Sequence, residues 1–497
     1  MSKPTRAALM AALFGMVLCV CAVMLVGCKD LFHPEGSTEN NPDGTVKQYT
    51  VTFDADGGTP AAQTKTVNRG ASLGSNMPTV PTKSGYAFGS WWTSRNGGGS
   101  RFTADTTVNA NITVYARWVE PLPSNLSLEE SLTWLASHAA EGGDYTITVS
   151  ADESFGPKSL YGGRAFSLTI KGDAAERSVR LNSSGSLFTV ESGVTLTLGN
   201  NVTLLGRSDN TKSLVRVNSG GTLIMESGSK ITGNTNTVWD YQYSGSSSSS
   251  SGGVFVYGGT FTMNGGAISG NTASASSSYS GGGVYVYNGT FTMNGGAISG
   301  NTASASSFYS GGGVYVNYGR FTMSGGVISG NTGYSGGGMY VGNGTFTMSG
   351  GAISGNTGNS GGGMYIGNGT FTMSGGTISG NTGYSGGGVY VGRTYINGAY
   401  VDGTFTKESG GTIYGSDASG ALKNTASSDA RGHAVYVESG GKKRNSTAGP
   451  GVTLNSSLGE AEGGWVDQYT VTFDADGGTP ATRTLTVNSG VIRNIRV

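Results

Sequence analysis

From residue 252 to residue 391 the chain makes nearly the same statement five times and part of it a sixth time, in copies such as GGGVYVYNGTFTMNGGAISGNTASASSFYS and GGGMYVGNGTFTMSGGAISGNTGNS. The step is 30 residues between Val254, Val284 and Val314, and 25 between Val314, Met339, Met364 and Val389, so the two lengths differ by one five-residue insertion in a Ser-rich loop. A unit this short cannot enclose a core of its own. It has to stack on its neighbours.

Each unit contains three short strands, VYV, TFTM and AIS, separated by Gly, Asn and Ser, residues that tolerate positive φ or bond their own backbone at turns. Three strands and three turns make one triangular coil. Within a strand the period is two, which puts Phe291 and Met293 on one face and Thr290 and Thr292 on the other. With the apolar face inward, Phe261, Phe291, Phe321, Phe346 and Phe371 form one interior column, the Met263 to Met373 series a second, and the Ile268 to Ile378 series a third. The turn after AIS places Asn271, Asn301, Asn331, Asn356 and Asn381 at equivalent positions, where identical amides are expected to hydrogen-bond along the stack. Glycine makes up 89 of the 497 residues but lacks the every-third-residue period of a collagen helix. It serves the turns.

Looser coils with the same strand order flank the regular block at residues 186–206, 213–234 and 389–415, the last carrying an insertion around residues 395–402, and a degenerate coil opens at Ala434. The expected fold is all-β: a right-handed parallel β-helix of nine to eleven coils over residues 145–460. An open end would invite edge pairing, and the segment SLEESLTWLASHAAEGG supplies a cover. Ser127 and Glu130 have capping-box spacing, Leu128, Leu132, Leu135 and Ala139 share a face, and Gly142 stops the helix. Linker and capping helix take residues 121–144. The order of capping helix, irregular first coils and GG-x-ISGN repeats resembles secreted β-helix proteins, and the GGAI tetrapeptides at Gly265, Gly295 and Gly350 are similar to those of the polymorphic outer membrane proteins. That family also carries a C-terminal barrel, which is not identified in this sequence. The resemblance implies fold and surface exposure, not autotransport.

Lys3 and Arg6 precede an apolar run over residues 7–25 that ends in LVGC, after which the chain turns polar at once. This resembles a bacterial lipoprotein signal over residues 1–27, and the resemblance implies a diacylglycerol-modified Cys28 as the mature N-terminus and the membrane as a partner through that anchor. Cys19 and Cys21 would leave with the signal, so no disulfide or cysteine metal site is expected. Residues 28–48 read as a tether. YTVTFDADGGTP at residues 49–60, PTKSGYAFGSWWT at 81–93 and NITVYARW at 111–118 then resemble the internalin B-repeat, or Listeria–Bacteroides repeat, implying a small β-grasp-like module over residues 49–120 that acts as a spacer or adhesive unit and brings no catalytic residues. A second copy begins at Tyr469 without the later signature elements. Lacking the Trp anchors, residues 461–497 are expected to be loosely ordered or to pair with the last coil.

The β-helix hosts polysaccharide lyases and hydrolases, whose chemistry needs carboxylates or other titratable groups. Between residues 241 and 401 there is no Asp, Glu, His, Lys or Cys, and only Arg320 and Arg393 are charged. Any active site would draw on Asp144, Asp152, Glu153, Asp173, Glu176, Asp417, Asp429, Glu438 or His433, and none of these forms a pair or triad spacing. The DADGG segment reads better as a turn than as a calcium loop. No cofactor or metal is expected, and zero net charge, with 30 basic and 30 acidic residues, disfavours nucleic acid.

One surface feature remains. With Val284 and Val286 inward, Tyr285 points outward, and Phe255, Tyr285, Tyr315, Tyr340, Tyr365 and Tyr390 form an aromatic column. Such a column stabilises the solenoid by stacking on itself, faces inward instead, or offers rings to a glycan or host-matrix ligand; the five tyrosines are the candidate ligand face. The expected function is display or adhesion from the cell envelope, at the outer membrane or cell surface, against the alternatives of a polysaccharide-active enzyme and an inert coat.

Overall fold

The computed structural model describes residues 46–438, apart from 162, 239–248, 275–278, 304–308, 397, 409, 416–419 and 428–431, together with the strands Lys442–Asn445, Gln468–Asp474 and Thr482–Asn488. The signal segment, Cys28, the tether up to residue 45, Asp417 and Asp429 lie outside the described residues, and the first strand begins within the expected tether at Gln48. Two compact units divide near Trp118.

In the first unit, strands β1 (Gln48–Asp54), β2 (Ala62–Asn68), β3 (Ala87–Ser94), β4 (Gly98–Phe102) and β5 (Ile112–Val119) form one sheet in the order β2-β1-β5-β3-β4. β1 and β2 are an antiparallel hairpin, while β1 and β5 run parallel at the centre, with Phe53 opposite Val114. Period-two burial follows: Val51, Phe53, Val114 and Ala116 are buried, and Phe53 meets Trp91 edge-on at 4.9 Å and Phe102 at 5.7 Å. The GG of the DADGG turn has a geometric cause. Gly57 has φ +88°, and a Cβ on Gly58 would enter the Trp118 ring, whose Nε1 donates to the Ala55 carbonyl at 2.8 Å. Both carboxylates of this turn face Arg95.

The second unit is a stack of parallel coils. TFTM-type strands and their flanking equivalents form an eleven-stranded sheet, VYV-type strands and AIS-type strands form ten-stranded sheets, and every neighbouring pair within them is parallel and in the register the repeat dictates: Val284 on Val314, Phe291 on Phe321, Ile298 on Ile328. This is the parallel β-helix expected, spanning about 48 Å from first to last strand at the usual inter-strand spacing. Its interior columns are as read. The Phe rings stack at 4.4 Å (Phe291 on Phe321) to 4.9 Å (Phe346 on Phe371), and Phe405 adds a sixth ring at 4.8 Å. The Met column ends in Lys407, which sits opposite Met373 and is 5% exposed. Its stem continues the apolar file while its Nζ donates to the Gly410 carbonyl at 2.8 Å, and desolvation lowers its pKa.

Six of the coils carry a fourth strand, beyond the three expected per unit. The Thr that follows each buried Asn starts a short strand, Thr302–Ala303 or Thr357–Ser360 for example, and these make a six-stranded sheet. Strands of two to four residues are too short to show a period. The Asn ladder, in contrast, is present and longer than read: the Nδ2 of each amide donates to the Oδ1 of the next from Asn271 through Asn301, Asn331, Asn356 and Asn381, and the file continues to Asn424.

Helix α1 (Leu128–His138) covers the N-terminal end. The Ser127–Glu130 capping box is formed, and Leu128, Leu132, Leu135 and Ala139 join the same apolar core as Tyr145 and Leu168. The Glu153 carboxylate, from the first coil, accepts the helix N-terminal amides of Leu128 at 2.8 Å and Glu129 at 3.3 Å, a favourable position for an anion. At the far end of the chain, Gln468–Asp474 and Thr482–Asn488 form an antiparallel hairpin with the pairing of β1 and β2.

Because stability in such a stack is roughly a sum over units and their interfaces, excising residues 336–360 should remove one coil and leave its neighbours able to pair. Circular dichroism should show unchanged strand content per residue and a cooperative melt. Excising half of that unit should abolish the cooperative melt.

Candidate functional site

The five tyrosines of the candidate ligand face point away from the Phe and Met columns, as the alternation requires, but they do not form an exposed face. Tyr285, Tyr315 and Tyr340 are each 1% exposed, Phe255 is 4% exposed, and Tyr365 and Tyr390 are half-buried. The cause is a second layer. In the longer coils the segment before GGG returns as a further strand, Tyr279–Gly281 and Tyr309–Gly311, and brings Tyr279 within 6.0 Å of Tyr315 and Tyr309 within 5.9 Å of Tyr340. Tyr257 and Tyr287 close the other side. The rings stack on one another at 4.8 to 5.1 Å, from Phe255 on Tyr285 at 5.1 Å to Tyr365 on Tyr390 at 4.8 Å. Two of the hydroxyls reach over a glycine one coil on: a Cβ on Gly367 or Gly392 would collide with the phenol of Tyr340 or Tyr365. Burial pushes the phenols of Tyr315 and Tyr340 well above their usual pKa, so they remain neutral donors at any physiological pH. This column is a second core.

The described carboxylates singled out in the sequence are mostly held in structural contacts. Asp152 accepts the amide of Ser178 at 2.8 Å, Asp173 takes Arg177 bidentately at 2.9 and 2.7 Å, and Glu176 pairs with Lys230 at 2.8 Å; in each case the hydrogen bond lowers the carboxyl pKa. Glu153 caps α1 as described above, and Glu438 lies 3.5 Å from Arg393. His433 is buried, and its Nδ1 accepts the amide of Ala426 at 3.0 Å. Asp152, Asp173 and Glu176 lie near one another around Arg177 and Lys230 on the first coils, while His433 and Glu438 flank the last VYV-type strand. Asp144, on the first strand of the TFTM-type sheet, stands opposite Ser167.

Three features of the wall face solvent. The outer side of the TFTM sheet is a field of threonines, Thr290 and Thr292 and their equivalents, partly exposed and interrupted by the exposed Arg320. A shallow groove of about 470 Å³ lies where 30-residue coils give way to 25-residue ones, lined by Thr302, Ala303, Thr332, Tyr334, Thr357 and Asn359. The third is the insertion after Gly392, which forms an antiparallel hairpin of Arg393–Ile396 with Ala399–Asp402. Tyr395 and Tyr400 on it are each 61% exposed. The sequence signal for this surface is the ten residues, 393–402, that break a strict repeat.

Residues 49–117 match the Listeria–Bacteroides repeat domain family, a module typical of bacterial surface proteins. No curated protein and no solved structure matches the chain significantly.

Proposed function

We propose that the protein is a lipid-anchored, non-catalytic rod of the bacterial cell surface that works by display and adhesion. The observation that carries this reading is a surface-type module followed by a long rigid stack whose regular wall, residues 241–401, bears only two charged side chains, Arg320 and Arg393. Such a wall has no general acid, base or metal ligand to offer, yet it presents a long surface on which weak contacts can add. The similarity of the GGAI repeats to polymorphic outer membrane proteins supports surface exposure, and the LVGC segment supports an acyl anchor at Cys28.

Protease shaving of intact cells tests the premise. The rod should be cleaved from the cell exterior while a cytoplasmic control survives; survival of the protein until the cells are lysed would remove the adhesion reading and leave an inward-facing envelope role. Anchoring has its own test. Since stable membrane attachment takes more than one acyl chain, the wild type should stay with membranes in high salt, whereas Cys28→Ala should lose fatty-acid labelling and either retain its leader or move to the soluble fraction.

A further inference from the structure

The most irregular feature of the stack is the insertion between Gly392 and Gly403. In the two preceding coils the corner between the VYV-type and TFTM strands is a single residue, Asn343 between Gly342 and Gly344 and Asn368 between Gly367 and Gly369. Here ten residues, 393–402, stand in its place. The stack does not register them: the Gly403 amide donates to the Gly392 carbonyl at 2.8 Å, closing the base of the hairpin, while the Gly392 amide still reaches the Ile366 carbonyl at 2.8 Å and the Thr404 amide the Gly369 carbonyl at 2.9 Å. A segment the fold can do without, held on a rigid scaffold, is where binding residues are usually found.

Alternation gives the hairpin two faces. Thr394 turns to the rod, close to Gly367 and the Tyr340 phenol, and so Arg393, Tyr395, Tyr400 and Asp402 share the other face. Tyr395 and Tyr400 stand directly opposite each other and meet edge to face at 5.0 Å. The Arg393 guanidinium lies 4.3 Å from the centre of the Tyr400 ring, and its Nε lies 3.5 Å from Glu438 Oε1 on the next coil. The Tyr400 ring thus carries a cation on one face and meets Tyr395 edge to face, and the residue still remains 61% exposed.

We infer that this face is a binding site for a neutral glycan, with a pyranose ring packed on Tyr400 and Tyr395. The inference rests on the adhesion reading and gives it a contact surface. Three observations select the ligand class. A fixed flat ring beside carboxylate and guanidinium groups suits a sugar, whose C–H face is apolar and whose edge is all hydroxyl. Arg393 is balanced by Glu438 and shares its face with Asp402, so no surplus positive charge calls for an acidic glycan. Two rings alone fall far short of the ~1,000 Å² that a specific protein interface buries.

The test uses the full-length protein in mild detergent, fluorescently labelled, on arrays of neutral glucan, mannan and galactan oligosaccharides alongside acidic glycans and matrix proteins. One variant replaces residues 393–402 by a single Asn, restoring the corner of the preceding coils. Two others are Tyr395→Ser with Tyr400→Ser, and Tyr395→Phe with Tyr400→Phe. Wild type and the Phe pair should bind at least one neutral glycan, and the Asn replacement and the Ser pair should each weaken it about tenfold or more, equivalent to about 1.4 kcal/mol, with the melting curve of the Asn replacement unchanged. Wild-type binding restricted to acidic glycans or matrix proteins, no wild-type binding to any neutral glycan, or binding by the Asn replacement within about twofold of wild type would each overturn the inference. The outcome is independent of shaving: a protein absent from the cell exterior would undo adhesion whatever the array reports.

Discussion

Phe346→Asp should unfold the middle of the stack, and Thr345→Asp, one residue away, should hardly matter. Phe346 is fully buried between Phe321 at 4.8 Å and Phe371 at 4.9 Å, with Met348 on the same inner face. The substitution removes two ring contacts and puts a carboxylate where no described donor is available, costing more than about 5 kcal/mol. Because each coil bonds only to its neighbours, the loss should split one cooperative transition into two, with coils on either side melting separately. Thr345 is partly exposed on the outer face, where a carboxylate keeps its hydration and the cost should stay under about 1 kcal/mol. Thermal denaturation followed by circular dichroism separates the two outcomes. Equal melting of the variants would mean that the faces of the TFTM strand are reversed.

The columns of Phe, Met, Ile and Asn were legible because a repeat converts one local decision into many: once Phe291 is inward, every residue at its register is inward too. The same logic read Tyr285 correctly as outward but could not read what lies over it. Alternation reports which side of its own strand a residue takes, and says nothing of whether another segment crosses that side. Tyr279 and Tyr309, which form the cover, sit in the Ser-rich insertion, and a strand of three residues ending in glycine carries no period to recognise. A consequence follows for function. Replacing Tyr315, Tyr340, Tyr365 and Tyr390 together would dismantle a buried layer, so lost binding in that variant would report lost structure. The hairpin at Tyr395 and Tyr400 is free of this ambiguity, since the corner without it already occurs twice in the same chain.

Asn331→Asp should be nearly as damaging as Phe346→Asp although it exchanges one atom. The amide of Asn331 is wholly buried, and its two donors are both engaged, to the Ile298 carbonyl at 2.9 Å and to Asn356 Oδ1 at 2.9 Å. Its oxygen accepts from the backbone amide of Asn301 at 2.9 Å and from Asn301 Nδ2 at 3.0 Å. Aspartate keeps the accepting oxygen but turns the other against two oxygens that also can only accept. Ionised, it is a buried charge facing lone pairs, and the cost at pH 7 should be about 3–5 kcal/mol. Protonated, it can restore one donor, so the folded state holds the carboxyl above its unfolded pKa of about 3.9. A raised folded pKa means that stability is greatest below the unfolded pKa and is lost as the pH rises through and beyond it. The gap in melting temperature between the variant and wild type should therefore be small near pH 3.5 and wide at pH 7. Asn294→Asp is the control, because Asn294 is exposed, donating to the exposed Asn264 at 3.0 Å and accepting from Ser324 Oγ at 2.9 Å; its effect should stay within about 0.5 kcal/mol at both pH values. A gap for Asn331→Asp that did not widen with pH would show that its carboxyl remains hydrated, and hence that the ladder is open to water and is not the sealed seam on which the stacking of the coils depends.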